Sequence, residues 1–493
     1  MIQKKQISIK NEQTQLNNIF TAGFIRQFFI MVSHIGIIGG GFSGTMLVRH
    51  LVSQTDSPLK INLFSTSNEI SKGTAYNPNS NKLLLNVIAS KMSAFQDKPE
   101  HFVNWCFTNS ISDQSNAPLL ANSFLPRAIY GRYLNDVWSE TKALAIKNGH
   151  QLDVIAERIE KIEYQNHKYK LTTINQISEV EIVVLATGNE LPGNPDIKNI
   201  DFFNCELYQQ NPWRIDFLKI KSEHPILIIG NGLTMVDTVI ELRENGFSQT
   251  IVSVSPNGFN ILPHRNFNFQ YKGPLNEISE SQSLLDLVQM IRKELKRLKS
   301  FGISAEPLID ILRPKTQKIW QNFTEAEKRL FMKKLRHLWG VARHRIPFVS
   351  YDFIQKERIE NKLQITAGKL IDLRKENNSV TAEILDKKSN TIFKSSFSIV
   401  INCTGPETNI DRTQNELLRQ LKSDGMIKQD ELKLGLQVND LFQILDREGN
   451  THEKMYAIGN LLKGKLWEST AINELRGQAS QIALQIIKQI SKA

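Results

Sequence analysis

The chain is predicted to be an α/β protein of two Rossmann-like units, with a basic helical insertion in the second. Three observations carry this. Short apolar runs recur that suit strands buried on both faces of a parallel sheet. Two of them, His34–Ile38 and Pro225–Ile229, end in a glycine turn that opens a helical pattern. Each helical pattern then leads to another apolar run, which closes a β-α-β unit. The two units begin about 190 residues apart, and no shorter repeat is present.

In the first unit the turn is Gly39-Gly40-Gly41-Phe42-Ser43-Gly44, a G-x-G-x-x-G, and Lys60–Phe64 is the second strand. Gly39 permits the sharp turn. Gly41, with no Cβ, lets backbone approach a pyrophosphate, and Gly44 lets helix and strand pack closely. Free N–H groups at the helix start then face the anion. A dinucleotide is the expected ligand. The acidic residue that commonly holds a ribose hydroxyl is absent, and Ser65 ends the second strand in its place. A hydroxyl makes a weaker hydrogen bond there than a carboxylate.

The second unit has Gly230-Asn231-Gly232, a helix from Leu233 to Leu242 that includes Thr234, and a strand over Thr250–Val254. Met235 takes the third glycine position, so the helix packs less closely while the phosphate turn stays intact. The strand, with Ser255-Pro256-Asn257 after it, offers neither an acid nor an immediate Arg; His264 and Arg265 follow Asn257 within ten residues. The expected ligand is a nicotinamide nucleotide. The bland alternative is a lobe that keeps the fold without the ligand.

Two further strands, Val183–Leu185 and Ile399–Asn402, run into Thr187-Gly188 and Thr404-Gly405. They read equally well as plain strand terminations. Near the end, Met455–Ile458 runs into Gly459-Asn460, and Thr470 with Asn473 and Glu474 marks the start of a capped helix over about 470–490. These patterns divide the chain into an N-terminal extension at 1–32, a first unit at 33–195, a second at 196–400 with a helical insertion at about 283–345, and a return to the first unit at 401–493.

Composition bounds the function. At 493 residues, 40% hydrophobic and 23% charged, the chain buries a substantial core, which excludes global disorder. Its three cysteines, Cys106, Cys205 and Cys403, lie far apart. That excludes a disulfide framework, a zinc spacing or a neighbouring redox pair, and predicts no metal and a reducing, cytoplasmic setting. No apolar run approaches the about 20 residues of a membrane span. Arg26 interrupts the apolar segment Phe20–Ile30. The segment reads as a poorly ordered extension upstream of a start at Met31; a membrane-surface helix is the sharper alternative.

The net charge is +11, yet 15 Lys or Arg against 6 Asp or Glu lie between 286 and 345, so the excess is mostly local. Such a patch admits an anionic partner. Trp320, Phe323, Phe331 and Trp339 there are spaced for a helix core rather than for base stacking, so a small molecule is expected and not a nucleic acid. Arg343, His344 and Arg345 are candidates for an anionic group on substrate or cofactor; a solvated basic helix end is the plain alternative. Oligomeric state is not readable.

Taken together, these residues resemble a known group. The paired fingerprints, Ala186-Thr187-Gly188 between them and Tyr456-Ala-Ile-Gly459 look like a flavoprotein with two dinucleotide-binding domains. Finer pieces are Gly73-Thr-Ala-Tyr76, Leu85-Asn-Val-x-Ala-x-x-Met92, Pro126-Arg127-x-x-Tyr130-Gly131, Leu312-Arg-Pro314, Trp339 with Arg343-His344-Arg345, and Trp467-Glu-x-Thr470-Ala471-x-x-Glu474-Leu-Arg476. From about residue 33 onward the chain is similar to the FAD/NAD(P)-binding family that includes the flavin-dependent urate hydroxylase and the nitrosuccinate-forming amino-acid monooxygenase.

The resemblance implies FAD on the first unit, with Gly39, Gly41, Ser43 and Gly44 at the pyrophosphate. It places Met92 and Ser93 near the flavin, Arg127 reaching the cofactor, Asn460 on the ribityl chain, and Thr470 and Ala471 at the ring edge. It implies NAD(P)H as reductant and hydroxylation of a small polar substrate. An oxidase or reductase that does not use NAD(P)H, an FAD protein that binds or modifies RNA, and an adaptor that keeps FAD without turnover are the alternatives. The Baeyer–Villiger fingerprint Phe-x-Gly-x-x-x-His-x-x-x-Trp is absent.

Overall fold

A computed structural model describes residues 32–492, apart from 67–68, 78–79, 114–115, 221–223 and 266–268. The expectations for residues 1–31 fall outside the described residues.

The first sheet has six strands, in the order Gln443–Leu445, Thr451–Ala457, Ile182–Leu185, Ser33–Ile38, Leu59–Phe64, Gln151–Ile155. All neighbours are parallel except the pair Gln443–Leu445 and Thr451–Ala457, which are antiparallel. Ile35, Ile37, Ile61, Leu63, Val183 and Val184 are fully buried because both faces are covered, one by helices and the other by a small antiparallel sheet whose Leu171 and Val180 lie against Gly36. The helix Phe42–Gln54 packs on one face with Arg127–Lys147 and the C-terminal helix Ile472–Ile490 against it. The last fifty residues thus return to complete the first unit. A small antiparallel sheet, Lys161–Gln165, Lys168–Thr172 and Ile177–Val180, lies in the chain just before Ile182–Leu185.

The second sheet has seven strands, in the order Thr391–Phe397, Ser379–Asp386, Leu363–Glu376, Ile251–Ser255, Ile226–Ile229, Val400–Asn402, Tyr208–Gln209. Its fingerprint strand Ile226–Ile229 lies between Ile251–Ser255 and Val400–Asn402, parallel to both. Val400–Asn402 therefore belongs to the second sheet, and the boundary placed at 400 falls two residues early.

Between Ile251–Ser255 and Leu363–Glu376 the chain forms the helices Leu284–Ser300, Glu306–Leu312, Thr316–Asn322, Glu325–Lys334, Arg336–Arg343 and Phe348–Ile359. The first five have an apolar core of their own, around Leu284, Leu308, Leu312, Trp320, Phe323 and Phe331. By chain order this is an insertion in the second unit. By packing it grips the C-terminal segment: Leu434 joins its core and Trp467 packs against it. The reason is local. Trp320 has an indole N–H that must be satisfied when buried, and the carbonyl that accepts it, at 2.8 Å, is Gly464.

Candidate functional site

The two fingerprint turns are built alike. Gly39 has φ +121° and Gly230 φ +102°, a region closed to other residues at low cost. A Cβ on Gly39 would overlap the Ala186 carbonyl oxygen, and one on Gly230 would lie 2.5 Å from that of Cys403. The two Thr-Gly strand ends are therefore more than terminations. Each lies beneath one fingerprint turn and forces glycine there. Thr187 and Gly188 follow directly on the contact with Gly39.

Gly44 is close-packed, since its Cβ would overlap the Gly39 carbonyl. Gly41 is different: its Cβ would meet nothing nearer than Gly73 Cα at 3.7 Å. Gly41 is also the N-cap of the helix Phe42–Gln54, with no side-chain cap and no acid in the first turn. Donors thus stand open beside unfilled space, as a pyrophosphate cradle requires. Phe42 is buried beneath it and Ser43 is half-buried. Ser65 is buried at the adjoining strand end, its Oγ 2.8 Å from where a Cβ on Gly40 would be. At Gly232 a Cβ would meet nothing within 4 Å. It too is an N-cap without a side-chain bond, and Thr234 lies in the turn that follows.

The C-terminal segment is brought to the first turn. Gly459, at φ +82°, lies so that its Cβ would be 3.9 Å from Ser43 Oγ. Its N–H donates to Gln478 Oε1 at 2.8 Å, and Gln478 Nε2 donates to the Ser469 carbonyl at 3.1 Å. One buried amide thus binds together two loops ten residues apart. Asn460 is buried beside it. Arg476 Nη1 donates to the Ser93 carbonyl at 2.7 Å, which holds the buried pair Met92 and Ser93 against the start of the last helix. Sequence reasoning quoted Arg476 without assigning it this role and missed Gln478. A single Gln on a helix gives no signal of what it spans.

That helix starts at Ile472 with Ala471 as N-cap and no side-chain hydrogen bond, which corrects the capping expected from Thr470, Asn473 and Glu474. Thr470 is exposed and Ala471 half-buried. Around them lie buried polar atoms with no protein partner, Ser469 Oγ, Asn473 Oδ1, Glu474 Oε2 and Arg476 Nε, and Thr187 Oγ1 is another, at the strand end beside Gly39. Buried polar atoms are rarely left so. Their concentration here fits a polar group bound along this loop.

Arg127 does not remain free to reach a cofactor. Its Nε donates to the Leu84 carbonyl at 3.0 Å, and its Nη1 and Nη2 lie 2.8 and 3.2 Å from the Asp237 carboxylate. Asp237 is on the fingerprint helix of the second unit. Burial pushes its carboxyl above the usual range, and the Arg127 charge pulls it back. His264 and Arg265 also turn away from the second fingerprint. His264 Nε2 is 3.0 Å from the Asn86 carbonyl and its Nδ1 3.3 Å from Glu306, while Arg265 pairs with Asp310 at 2.9 Å.

The three candidates at 343–345 separate. Arg343 is nearly buried and lies 3.6 Å from Glu468, which also accepts from the Trp339 indole at 2.9 Å. Arg345 is buried between the Pro263 carbonyl, at 3.0 Å, and Glu306, at 3.8 Å. His344 alone is exposed, with Nδ1 3.1 Å from the Gly340 carbonyl. Neither an anion site nor a solvated helix end describes them: the two arginines fasten the helical unit to its neighbours. Arg345→Ala is expected to lower stability by about 1–3 kcal/mol, because it removes the buried guanidinium beside Glu306 and leaves that carboxylate with only His264 and the Arg265 N–H. His344→Ala is expected to change it by less than about 0.5 kcal/mol. Urea unfolding of the two variants checks this.

Among the described residues no helix is long and apolar enough to cross a membrane. Among the same residues no group of three His, Cys, Asp or Glu side chains could hold a metal ion.

Residues 36–190 match a family model described as FAD-NAD(P)-binding. No curated protein sequence matches the chain. Several solved structures are similar over nearly the whole length. Ornithine hydroxylase from Pseudomonas aeruginosa superposes with a TM-score of 0.63 at 14% identity, covering 93% of this chain and 100% of its own. Cadaverine monooxygenase from Erwinia amylovora, bound to FAD, gives 0.60 at 13%, covering 93% and 95%. Ornithine N-hydroxylase from Kutzneria, with reduced FAD, NADP+ and L-ornithine, gives 0.59 at 12%, covering 94% and 99%. At these identities the likeness is one of fold: two Rossmann-type units in one chain, the first completed by the C-terminal segment.

Proposed function

We propose that the chain is an FAD-dependent, NAD(P)H-consuming monooxygenase that hydroxylates a nitrogen or carbon of a small polar substrate. The observation that carries this is the pair of open glycine cradles at Gly41 and Gly232, each backed by a Thr-Gly turn. The names of the fold neighbours support the reading, since all three act on amines or amino acids. The narrower kinship with the urate hydroxylase and nitrosuccinate-forming group belongs to the same proposal.

In this reading Gly39, Gly40, Gly41, Ser43 and Gly44 hold the pyrophosphate of FAD, and Ser65 its ribose. Asn460 holds the ribityl chain, and the 469–476 loop faces the ring with its unpartnered polar atoms. When bound, FAD supplies hydride acceptance and oxygen activation. The residues of the chain position and shield. The Ala471–Ile472 helix start directs open N–H groups at the ring edge, where they favour negative charge. Trp339 and Arg343 fix Glu468 and hold the helical unit over this loop, which excludes water. Gly230, Gly232 and Thr234 hold the nicotinamide nucleotide.

Thiol chemistry has no support as an alternative. Burial pushes the Cys106 and Cys403 thiols up to about 12 and raises that of Cys205 too, so none of the three is a thiolate at neutral pH.

The test is a visible spectrum of the purified protein, then anaerobic stopped-flow mixing with NADH and NADPH. The reading expects a flavin band that bleaches at least as fast as turnover. A protein without flavin colour, or a band that neither nucleotide bleaches at that rate, overturns it. A panel of diamines, amino acids and purines then identifies the substrate class by coupled NAD(P)H oxidation.

A further inference from the structure

The helical unit contains an open apolar pocket of about 260 Å³ whose lining includes none of the residues of the two glycine turns. Its floor is Trp320, Phe323, Phe331 and Trp467, and its walls are aliphatic side chains of the helices Leu284–Ser300 and Glu306–Leu312. Protein interiors close-pack, and voids much larger than a water are few. The pocket is open on one side, and its apolar lining loses dispersion contacts while unfilled. An apolar cavity of about 150 Å³ stays dry and takes benzene, so this one has room for a chain of about eight carbons.

The mouth is not apolar throughout. Arg292 is the sole charged residue on the lining, and it is exposed. Among the described residues it has neither an ion-pair nor a hydrogen-bond partner, whereas Arg297, on the same helix, is held by Glu294 at 2.7 Å.

One wall is strained. Trp467 has φ +60° and ψ −60°, and the Glu468 N–H bonds back to the Leu466 carbonyl at 2.7 Å, closing a γ-turn of the rare kind. Such conformations persist where the surroundings over-determine them, and they cluster at ligand clamps. Here the ring is stacked on Trp320 at 5.1 Å and held edge-on by Phe331 at 5.0 Å.

From this cavity, this unpaired cation and this clamped indole we propose that the helical unit binds an amphiphile: a hydrocarbon body of about eight carbons with an anionic head on Arg292. The body fills the cavity and touches Trp320 and Trp467, while the carboxylate or sulfonate stays at the wet rim. The site is separate from both glycine cradles, so it stands whether or not the flavin reading holds.

Octanoate is the probe and octan-1-ol its uncharged counterpart. Three of the six tryptophans, Trp320, Trp339 and Trp467, line the cavity, so intrinsic fluorescence reports occupancy. Octanoate is expected to change the emission of the full-length protein saturably, with heat in calorimetry at the same midpoint. Arg292→Glu, a surface change, is expected to weaken octanoate about tenfold and leave octan-1-ol unchanged. Ile291→Trp, which fills the cavity, is expected to abolish both. No saturable response of the native protein to octanoate overturns the proposal. So does equal octanoate affinity in native and Arg292→Glu proteins, which settles the question even if Ile291→Trp fails to fold.

Discussion

Gly41→Ala is expected to yield a folded protein that has lost its flavin. Gly41 has φ −78°, which alanine adopts freely, and its Cβ would meet nothing nearer than 3.7 Å. The thermal midpoint without cofactor should therefore match that of the parent within about 0.5 kcal/mol of stability. The same methyl would project into the space where a pyrophosphate must approach backbone N–H groups. FAD affinity should fall at least about tenfold, the equivalent of about 1.4 kcal/mol. Gly44→Ala should behave differently, since its methyl meets the Gly39 carbonyl and damages the fold itself. Measuring flavin content beside the unfolding midpoint separates the two. Equal flavin retention by Gly41→Ala would show that nothing occupies that space. Gly232→Ala makes the parallel case in the second unit, read as a raised KM for NAD(P)H with FAD content unchanged.

Arg127→Ala should destabilise the protein by about 3–5 kcal/mol, because it leaves Asp237 buried without its partner. The pair connects the start of a first-unit helix to the fingerprint helix of the second, so the loss removes one of the links between the two units. The pH dependence has a definite sign. Burial raises the folded carboxyl of Asp237 above its unfolded value, with Arg127 opposing. The native state then binds this proton more tightly than the unfolded state does. Its contribution is fully present below the usual carboxylate range, about 3.9, and is lost as pH rises through the raised value. Removing Arg127 removes the opposing charge, so the variant should lose stability more steeply than the parent as pH rises above the usual carboxylate range. Arg127→Met with Asp237→Leu should recover most of the loss, since two apolar groups replace two buried charges. If the single variant unfolds like the parent at every pH, the pair contributes nothing.

Much of this was legible in the sequence because it depends on local chemistry. The strand runs at 34–38 and 226–229 are apolar on both faces, and only a covered parallel sheet accepts that. A glycine at positive φ followed by an uncapped helix start leaves a mark at fixed spacing, so both turns were found. The matching Thr-Gly ends were seen as well, but not their purpose, since contact between Gly39 and the Ala186 carbonyl spans some 150 residues. Arg127, Arg343 and Arg345 were misread for one reason. A cation in sequence shows its charge and not its partner, and burial chose carboxylates of other elements, Asp237, Glu468 and Glu306.

By itself the sequence determined two Rossmann-like units, their glycine turns, and a helical segment rich in basic residues, all of them properties of period, spacing and composition. Only the tertiary structure decided how these meet. It placed the C-terminal segment beside Ser43, used Gln478 and Arg476 to bind three loops at the first turn, and packed the helical unit on Trp467 rather than on its own sheet. The physical reason is that a buried polar group must find a partner wherever the fold supplies one. Partners separated by hundreds of residues leave no pattern in a single chain.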